Sequence, residues 1–421
     1  MARNRVIYQS EALYVSKNVN STGSTEHRQL TRVQSANYNF SIDRKDVNQY
    51  GQLARIDALV LKSPTVALDF SYYPTDGFNE RALGFYVQTP TPVYTGVGGV
   101  VVAQDAAVSV LSGLLDSIEG NFSSGQMGSS SGQHFYIVTT SEGSDLNNET
   151  GANSLASKSI IGIGNGFLTN YSLDASVGNL PTVKVTIEGL NMNSSKYQGQ
   201  NGVTGLQSPQ VDPVAGTAST GAGGSGIIVQ LPTPSQGTGS LTPSALRPGD
   251  IIINFGDYGA STTGLATPIA NMSGTTAGIG SDGLHLQSAS LALPLSRTPI
   301  ERLGSRFAFA RVVDFPVVST LNVSAILNET QARNLASMLD DNTERDVSIT
   351  IKSSKDTSKT ALIYKLKGSR LKSESFSSSI GSNKTVDLVF ETQIGGPNDS
   401  KHGVFLSGMG YQDTGVQNWG Y

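Results

Sequence analysis

The stretch Val33-Gln34-Ser35-Ala36-Asn37-Tyr38-Asn39-Phe40-Ser41-Ile42-Asp43 decides how the rest of the chain is read. Tyr38, Phe40 and Ile42 fall on one side of an extended chain, and Asn37, Asn39, Ser41 and Asp43 on the other. A period of two is the pattern of a strand with one buried face. The pattern returns at Leu286–Ser296, where Leu291, Leu293 and Leu295 hold the same places. Aligning Gln34–Gly51 with Gln287–Gly304, an offset of 253, gives five identities without a gap: Gln34/Gln287, Ser35/Ser288, Ala36/Ala289, Arg44/Arg297 and Gly51/Gly304. A second block, Leu168–Glu188 against Leu371–Glu391, has an offset of 203 and seven identities, Gly178/Gly381 among them. The offsets differ by 50, so the first half carries about 50 extra residues between the blocks. Two collinear blocks of this size point to duplicated domains rather than a solenoid.

The alternation spreads outward from these blocks. Val66, Leu68 and Phe70 alternate, as do Val183, Val185 and Ile187 and their counterparts Val386, Leu388 and Phe390. Strands with one wet face belong to antiparallel sheets. Each half therefore reads as a short strand (12–15; 251–255), a long strand (33–43; 286–296) and a loop that contains an arginine and ends at glycine. One or two strands and a helix follow, then a three-strand run (135–139, 160–173, 181–188; 347–351, 360–376, 385–393). The expected helices are 79–85 in the first half and 329–340 in the second, with a further candidate at 104–118. The fold class expected is mainly β: two tandem homologous antiparallel β-sandwich or barrel domains, each with a flanking helix. The boundaries expected are 1–193, with an insertion around 86–133, then a Gly/Ser/Pro-rich linker or exterior loop at 194–248, a second domain at 249–395 and a tail at 396–421. The tail carries Phe405, Tyr411, Trp419 and Tyr421, which suits docking on a neighbour or a partly disordered terminus.

Composition narrows the function. Of 421 residues, 15% are charged and 47 are glycine, which suits β-structure with many turns. A net charge of −4 argues against a protein that wraps nucleic acid. The chain has no cysteine, which excludes disulfides, thiolate nucleophiles and cysteine zinc sites. The N-terminal residues do not read as a signal peptide, and no apolar run is long enough to span a bilayer.

Motifs for chemistry are weak. His27, His134, His285 and His402 are scattered and read as structural or surface residues. Gly128-Ser-Ser-Ser-Gly132 has the spacing of a nucleophile elbow but sits in a Ser/Gly-rich run, and reads as a flexible loop. Gly162-Ile-Gly-Asn-Gly166 looks like a phosphate loop, yet the second half has Tyr364-Lys-Leu-Lys-Gly368 in that region, so a turn or bulge is the better reading. Lys352, Lys355, Lys359, Lys365, Lys367, Arg370 and Lys372 form a basic run, read as one local surface: either the wet face of a strand pair or a contact with an acidic partner. What repeats in both halves is framework, not catalytic groups. The expectation is no enzyme, no catalytic, cofactor or metal residues, and assembly candidates at Gln34, Arg44, Gly51, Gln287, Arg297, Gly304, Gly178 and Gly381.

Val33–Gly51, followed by Asp76-Gly-Phe-Asn-Glu-Arg-Ala-Leu-Gly-Phe85 and by Leu371-Lys-Ser-Glu-Ser-Phe-Ser-Ser-Ser-Ile-Gly381, resembles the tail tube (major tail) proteins of tailed bacteriophages. The resemblance covers about 8–193 and 249–395. It implies a β-sandwich with a flanking helix, stacked rings around a channel for DNA and the tape measure protein, and contacts with tail terminator and baseplate proteins. It also implies a place in the virion tail after assembly in the host cytoplasm. Most members carry one tube domain and form hexamers; a fused pair resembles the duplicated type that forms pseudo-hexameric trimers. Six domains giving about four strands each, spaced by roughly 4.8 Å and tilted by about 40°, close a barrel of roughly 48 Å backbone diameter. Side chains leave a bore of about 35–40 Å. A neutral to acidic lumen is expected, with the basic run outside it or at a subunit contact, because a basic lumen would hold DNA. The other readings are a baseplate hub or sheath-like ring on the same fold, and a receptor-binding β-sandwich. The last is disfavoured by a single tryptophan.

Overall fold

A computed structural model describes residues 11–16, 26–60, 64–88, 109–110, 132–140, 146, 158–196, 206–212, 217–218, 228–232, 249, 251–257, 276–277, 285–304, 307–308, 310–326, 344–352, 360–378, 383–396 and 399–408. The first half contributes β1 (Glu11–Ser16), β2 (His27–Gln29), β3 (Val33–Ser41), β4 (Arg44–Val47), β5 (Asp57–Val60), β6 (Thr65–Tyr72), α1 (Phe78–Ala82), β7 (Val87–Gln88), β8 (Gln133–Thr139), β9 (Ser159–Ser176), β10 (Thr182–Gly189) and β11 (Asn191–Lys196). Four short strands follow: β12 (Leu206–Gln207), β13 (Val211–Asp212), β14 (Thr217–Ala218) and β15 (Ile228–Val229). The second half contributes β16 (Ile251–Asp257), β17 (Thr276–Ala277), β18 (His285–Pro294), β19 (Arg297–Ile300), β20 (Ala310–Val313), β21 (Val317–Ile326), β22 (Arg345–Lys352), β23 (Thr360–Ser377), β24 (Thr385–Ile394) and β25 (Gly403–Gly408).

Eight of these strands form one antiparallel sheet, in the order β3-β6-β10-β9-β18-β21-β24-β23. Four come from each half. Their registers repeat residue for residue. Tyr38 pairs with Leu68, and Leu291 with Leu321, both members moved by 253. Val183 pairs with Leu173, and Val386 with Phe376, both moved by 203. The irregularities repeat too. The β3–β6 ladder slips at Gln34 and the β18–β21 ladder at Gln287; the β9–β10 ladder slips at Thr169 and the β23–β24 ladder at Lys372. A bulge twists its strand locally, so two ladders with bulges at matched places curve alike.

β9 and β23 are each 18 residues long, and each serves two sheets. Their C-terminal parts lie in the eight-stranded sheet. Their N-terminal parts run in outer sheets, β2-β1-β8-β9-β11 and β17-β16-β22-β23-β25. Alternation explains the packing: in β6, Val66, Leu68, Phe70 and Tyr72 are buried between the layers and Asp69 is exposed. One core cluster runs through both halves, from Leu68, Phe135 and Val185 to Leu321, Ile349 and Leu388. A second lies outside the first half's outer sheet, where Tyr14, Tyr136, Val138 and Ile160 meet Leu206, Val229 and Leu231. A parallel pairing of β7 with β25 ties the halves together at the outer layer.

Several expectations need correction. The first-half helix is Phe78–Ala82, shorter than 79–85, and the proposed helices at 329–340 and 104–118 lie outside the described residues, apart from Ser109 and Val110. The stretch 194–248 is no simple solvated linker. β11 carries the first unit's sheet to Lys196, and Leu206, Val211, Val229 and Leu231 are buried. The tail begins later than 396, because Val404, Phe405 and Leu406 of β25 are core residues; Tyr411, Trp419 and Tyr421 lie outside the described residues. Gly162–Gly166 is no turn between strands, but it does hold a bulge: Gln133 pairs with Gly166 and Phe135 with Ile163, so β9 carries one extra residue there, and Asn165 takes φ +53°. It lies within β9, where a Cβ on Gly164 would overlap the Pro209 carbonyl and one on Gly166 would lie 2.9 Å from Phe135 and Ile187 atoms. Glycine is used there because other backbone and rings come too close for a side chain.

Candidate assembly site: the internal seam and the open sheet edges

The seam between the halves is the β9–β18 ladder. Ser288 pairs with Ser176, Leu291 with Leu173 and Leu293 with Tyr171. Backbone bonds extend it at both ends, from Val177 N–H to the Gln287 carbonyl and from Leu295 N–H to the Thr169 carbonyl, each 2.9 Å. On the inner side Leu291, Leu293 and Leu295 are buried. On the polar side the Ser290 hydroxyl donates to Asp174 at 2.7 Å, and Lys184 reaches the same carboxylate at 2.8 Å. Burial alone would raise the Asp174 carboxyl; the hydrogen bonds from Lys184 and Ser290 and the lysine charge outweigh it and hold it below its ordinary value.

The β19–β20 hairpin locks the seam. It leaves the end of β18 and lies against the first half. Arg297 Nε donates to the Leu168 carbonyl at 3.2 Å, and its guanidinium stands 5.0 Å from the centre of the Phe167 ring. Arg311 pairs with Glu188. Burial, and then the nearby Arg311 charge, lower the Arg297 pKa to about 10, so it stays protonated at neutral pH. Deeper in, Tyr171 of the first half and Tyr364 of the second share a hydrogen bond of 2.7 Å, and both lie against Glu80 of α1.

The outer edges of the sheet repeat the two sides of this seam without the partner. Among the described residues β3 pairs only with β6, and the C-terminal part of β23 only with β24. Tyr38, Phe40 and Ile42 are 41%, 58% and 41% exposed, where their counterparts Leu291, Leu293 and Leu295 are 2% or less. Phe376, the counterpart of buried Leu173, is 44% exposed.

The face of the sheet turned away from the outer layers is polar. Its strands present short hydroxyl and amide groups such as Ser35, Asn37, Asn39, Ser172, Ser290, Asn322, Ser324 and Ser375. On this face of the strands stand five carboxylates (Asp69, Asp174, Glu188, Asp387 and Glu391) and three cations (Lys184, Arg370 and Lys372), while Glu374 of β23 lies on the other face, opposite Leu388. The basic run is therefore not one surface. β23 passes between sheets, so Lys365 and Lys367 lie on the outer layer beside Asp346 and Phe405, while Arg370 and Lys372 stand on the polar face, paired with Glu344 and Glu391. Lys355 and Lys359 lie outside the described residues.

Of the residues singled out by sequence, Gln34 and Gln287 sit at the matched bulges, and Gly51 and Gly304 sit at the two hairpin tips, both with φ +85°. Gly178, also at φ +85°, makes the turn from β9 to β10. Left-handed backbone favours glycine at these turns. Gly381 lies outside the described residues. Arg44 and Arg297 open equivalent hairpins, but Arg297 is buried and Arg44 is exposed. The reading from sequence missed Glu80, Tyr171, Tyr364, Asp174 and Phe376. For Phe376 a signal existed, since the 203 offset aligns it with Leu173. For Glu80 none did: an acidic residue in a short helix reads as solvated.

No family model matches the chain, and no curated protein matches it. Solved structures similar to part of it include the SPP1 tail tube (TM-score 0.24, 10% identity, covering 42% of this chain and 89% of that one). The tube-terminating cap of the anti-feeding prophage gives 0.25 and 8%, covering 39% and 92%. The crystal structure of an Hcp protein gives 0.22 and 12%, covering 38% and 98%. Each likeness spans less than half of this chain, and the reading that follows rests on the chain's own sequence and geometry.

Proposed function

We propose that this chain is a structural, non-enzymatic protein of a phage-type virion tail: two fused tube units that assemble as three-chain, pseudo-sixfold rings stacked into a tube. One observation carries the reading. Eight antiparallel strands, four per half, form one sheet whose two outer edges repeat the two sides of its internal seam. A long open edge invites pairing. Edges that differ from each other join head to tail, and a head-to-tail contact that closes gives a ring. Three chains supply 24 strands, enough for a barrel of roughly 48 Å backbone diameter.

The polar face then lines the bore. Its carpet of serine, threonine and asparagine offers no bulky obstruction, and carboxylates outnumber cations along its strands. Each phosphate neutralised by a cation adds affinity, so a conduit with few free cations lets DNA pass. Arg370 and Lys372 fit this role because Glu344 and Glu391 answer them at 3.0 and 2.7 Å. The partners on this reading are further copies of the chain, a tape measure protein and duplex DNA in transit, and terminator and baseplate proteins at the ends. The setting is the virion tail, assembled in the host cytoplasm, with no cofactor and no membrane.

Electron microscopy of the purified protein, with symmetry-resolved reconstruction, tests this. Tubes built of threefold rings are the expected result. Single rings that never stack would favour the hub reading, six chains per ring would overturn the trimer, and monomers at all concentrations would overturn assembly.

A further inference from the structure

A groove of about 640 Å³ lies at the end of the second half's polar face, lined by Gly368, Arg370, Lys372, Glu391 and Thr392. Subtracting 203 gives its counterpart in the first half: Asn165, Phe167, Thr169, Glu188 and Gly189. That counterpart is filled. Arg297 of the β19–β20 hairpin covers Phe167 and bonds the Leu168 carbonyl, and Arg311 holds Glu188. Subtracting 253 from the filling hairpin gives β4–β5, which has the same length and pairing: Arg44 opposite Val60 matches Arg297 opposite Val313. Among the described residues there are thus one filled seat, one open seat, and one hairpin that no seat holds.

We propose that the open groove receives the β4–β5 hairpin of a second copy of this chain, while β3 of that copy adds to the edge of β23 in the register of the internal seam. This rests on the ring reading for its partner. The internal pair Leu291/Leu173 transfers to Tyr38 opposite Phe376, two apolar side chains that stand exposed on the two open edges. Ser290 opposite Asp174 transfers to Asn37 opposite Ser377. Arg44 reaches the Leu371 carbonyl as Arg297 reaches that of Leu168, with Glu391 in the place of Glu188. The closing contact is not a replica of the internal one. Ala58 stands where Arg311 does, and Arg370 where Phe167 does, so the stacking ring and the second arginine are lost. Both apolar edges become covered, which an open sheet otherwise leaves to chance pairing.

Cysteine cross-linking tests the register, because the natural chain has no cysteine. Tyr38→Cys with Phe376→Cys, oxidised with copper phenanthroline, should convert most of the protein through dimer to a covalent trimer on denaturing gels. Tyr38→Cys with Ser375→Cys puts the thiols on opposite sheet faces, and its yield should be about tenfold lower. Equal yields, or dimers from Phe376→Cys alone, would overturn the register. Should the double variant fail to fold by circular dichroism, Arg44→Ala alone decides the seat: a folded chain whose ring formation needs about tenfold more protein is expected, and unchanged ring formation would overturn the proposal. Tubes seen without the cross-link would retire this contact and leave the tube. Covalent trimers that never stack would leave the contact and retire the tube.

Discussion

The Tyr171 hydroxyl lies 2.7 Å from that of Tyr364, although 193 residues separate them and they belong to different halves. Both approach Glu80 Oε1, at 3.1 and 3.5 Å, and Tyr72 donates to the same oxygen at 2.8 Å. All four side chains are buried to within 2% of full coverage. Three strands and a helix from the two halves thus converge on one carboxyl group. A polar cluster of this kind fixes how the halves sit, because its groups find partners in one arrangement only.

Replacing Glu80 should change how stability depends on pH. Burial raises the Glu80 carboxyl above its ordinary value, against its hydrogen bonds from the backbone, Tyr72 and Tyr171. A group whose folded pKa is raised weakens the fold as pH climbs from the unfolded pKa to the folded one. Glu80→Gln removes that titration. Its urea midpoint relative to the natural chain should therefore be higher near neutral pH than in mild acid. The same difference at both would show that the Glu80 carboxyl has the same pKa in the folded and unfolded chain. Tyr364→Phe removes the hydrogen bond to Tyr171 and the longer one to Glu80, and should cost about 1–3 kcal/mol.

The two equivalent arginines should behave differently in the isolated chain. Arg297 is buried against Phe167 and bonded to Leu168, so Arg297→Ala leaves a buried carbonyl without its donor and removes packing. A loss of about 2–4 kcal/mol is expected. Arg44 is exposed, and Arg44→Ala should leave the chemical denaturation of the monomer unchanged while weakening association. Equal losses would mean that the β4–β5 hairpin is seated within its own chain.

Most of the framework was legible in the sequence because period-two alternation and the internal repeat constrain each other. The strands expected at 12–15, 135–139, 181–188, 347–351 and 385–393 occur at Glu11–Ser16, Gln133–Thr139, Thr182–Gly189, Arg345–Lys352 and Thr385–Ile394. What the sequence hid were properties of neighbours. Identity at Arg44 and Arg297 says nothing about which hairpin has a half of the same chain to lie on. Val229 and Leu231 belong to the apolar run Ile227–Leu231, but the Gly/Ser-rich stretch around that run and around Leu206 reads as linker. The run Lys352–Lys372 looks continuous until β23 is seen to leave one sheet for another, which parts Lys367 from Arg370.

The Gly162–Gly166 run should be intolerant of side chains. Within β9, Gly164 lies directly beneath the Pro209 carbonyl, which accepts from Asn191 at 2.9 Å. Backbone held at both ends yields less than the tip of a flexible side chain. Gly164→Ala should cost about 1–3 kcal/mol, as overpacking does. Gly178→Ala meets no neighbouring atoms and pays only for its positive φ, about 1 kcal/mol. A denaturant series on the two variants checks the order; a neutral Gly164→Ala would show that the segment above β9 moves aside.

Deleting 199–239 should destabilise the first half, contrary to what its composition suggests. Leu206 and Val229 are fully buried, and with Leu231 they cover Tyr14, Tyr136 and Ile160 on the outer face of the first half. The Asn165 side chain holds this segment from both sides, accepting from Val211 N–H at 2.9 Å and donating to the Val211 carbonyl at 3.1 Å. Removing the cover exposes two tyrosines and an isoleucine and leaves a buried amide with neither partner. Leu206→Ala alone should cost about 2–5 kcal/mol through the cavity it leaves. The effect should be local, because the second half's outer strands β16 and β22 pack elsewhere. Hydrogen exchange of the deletion variant should therefore show lost protection in β1, β8 and the N-terminal part of β9, with β16 and β22 unchanged. Protection unchanged in all five strands would show that the segment is dispensable to the fold.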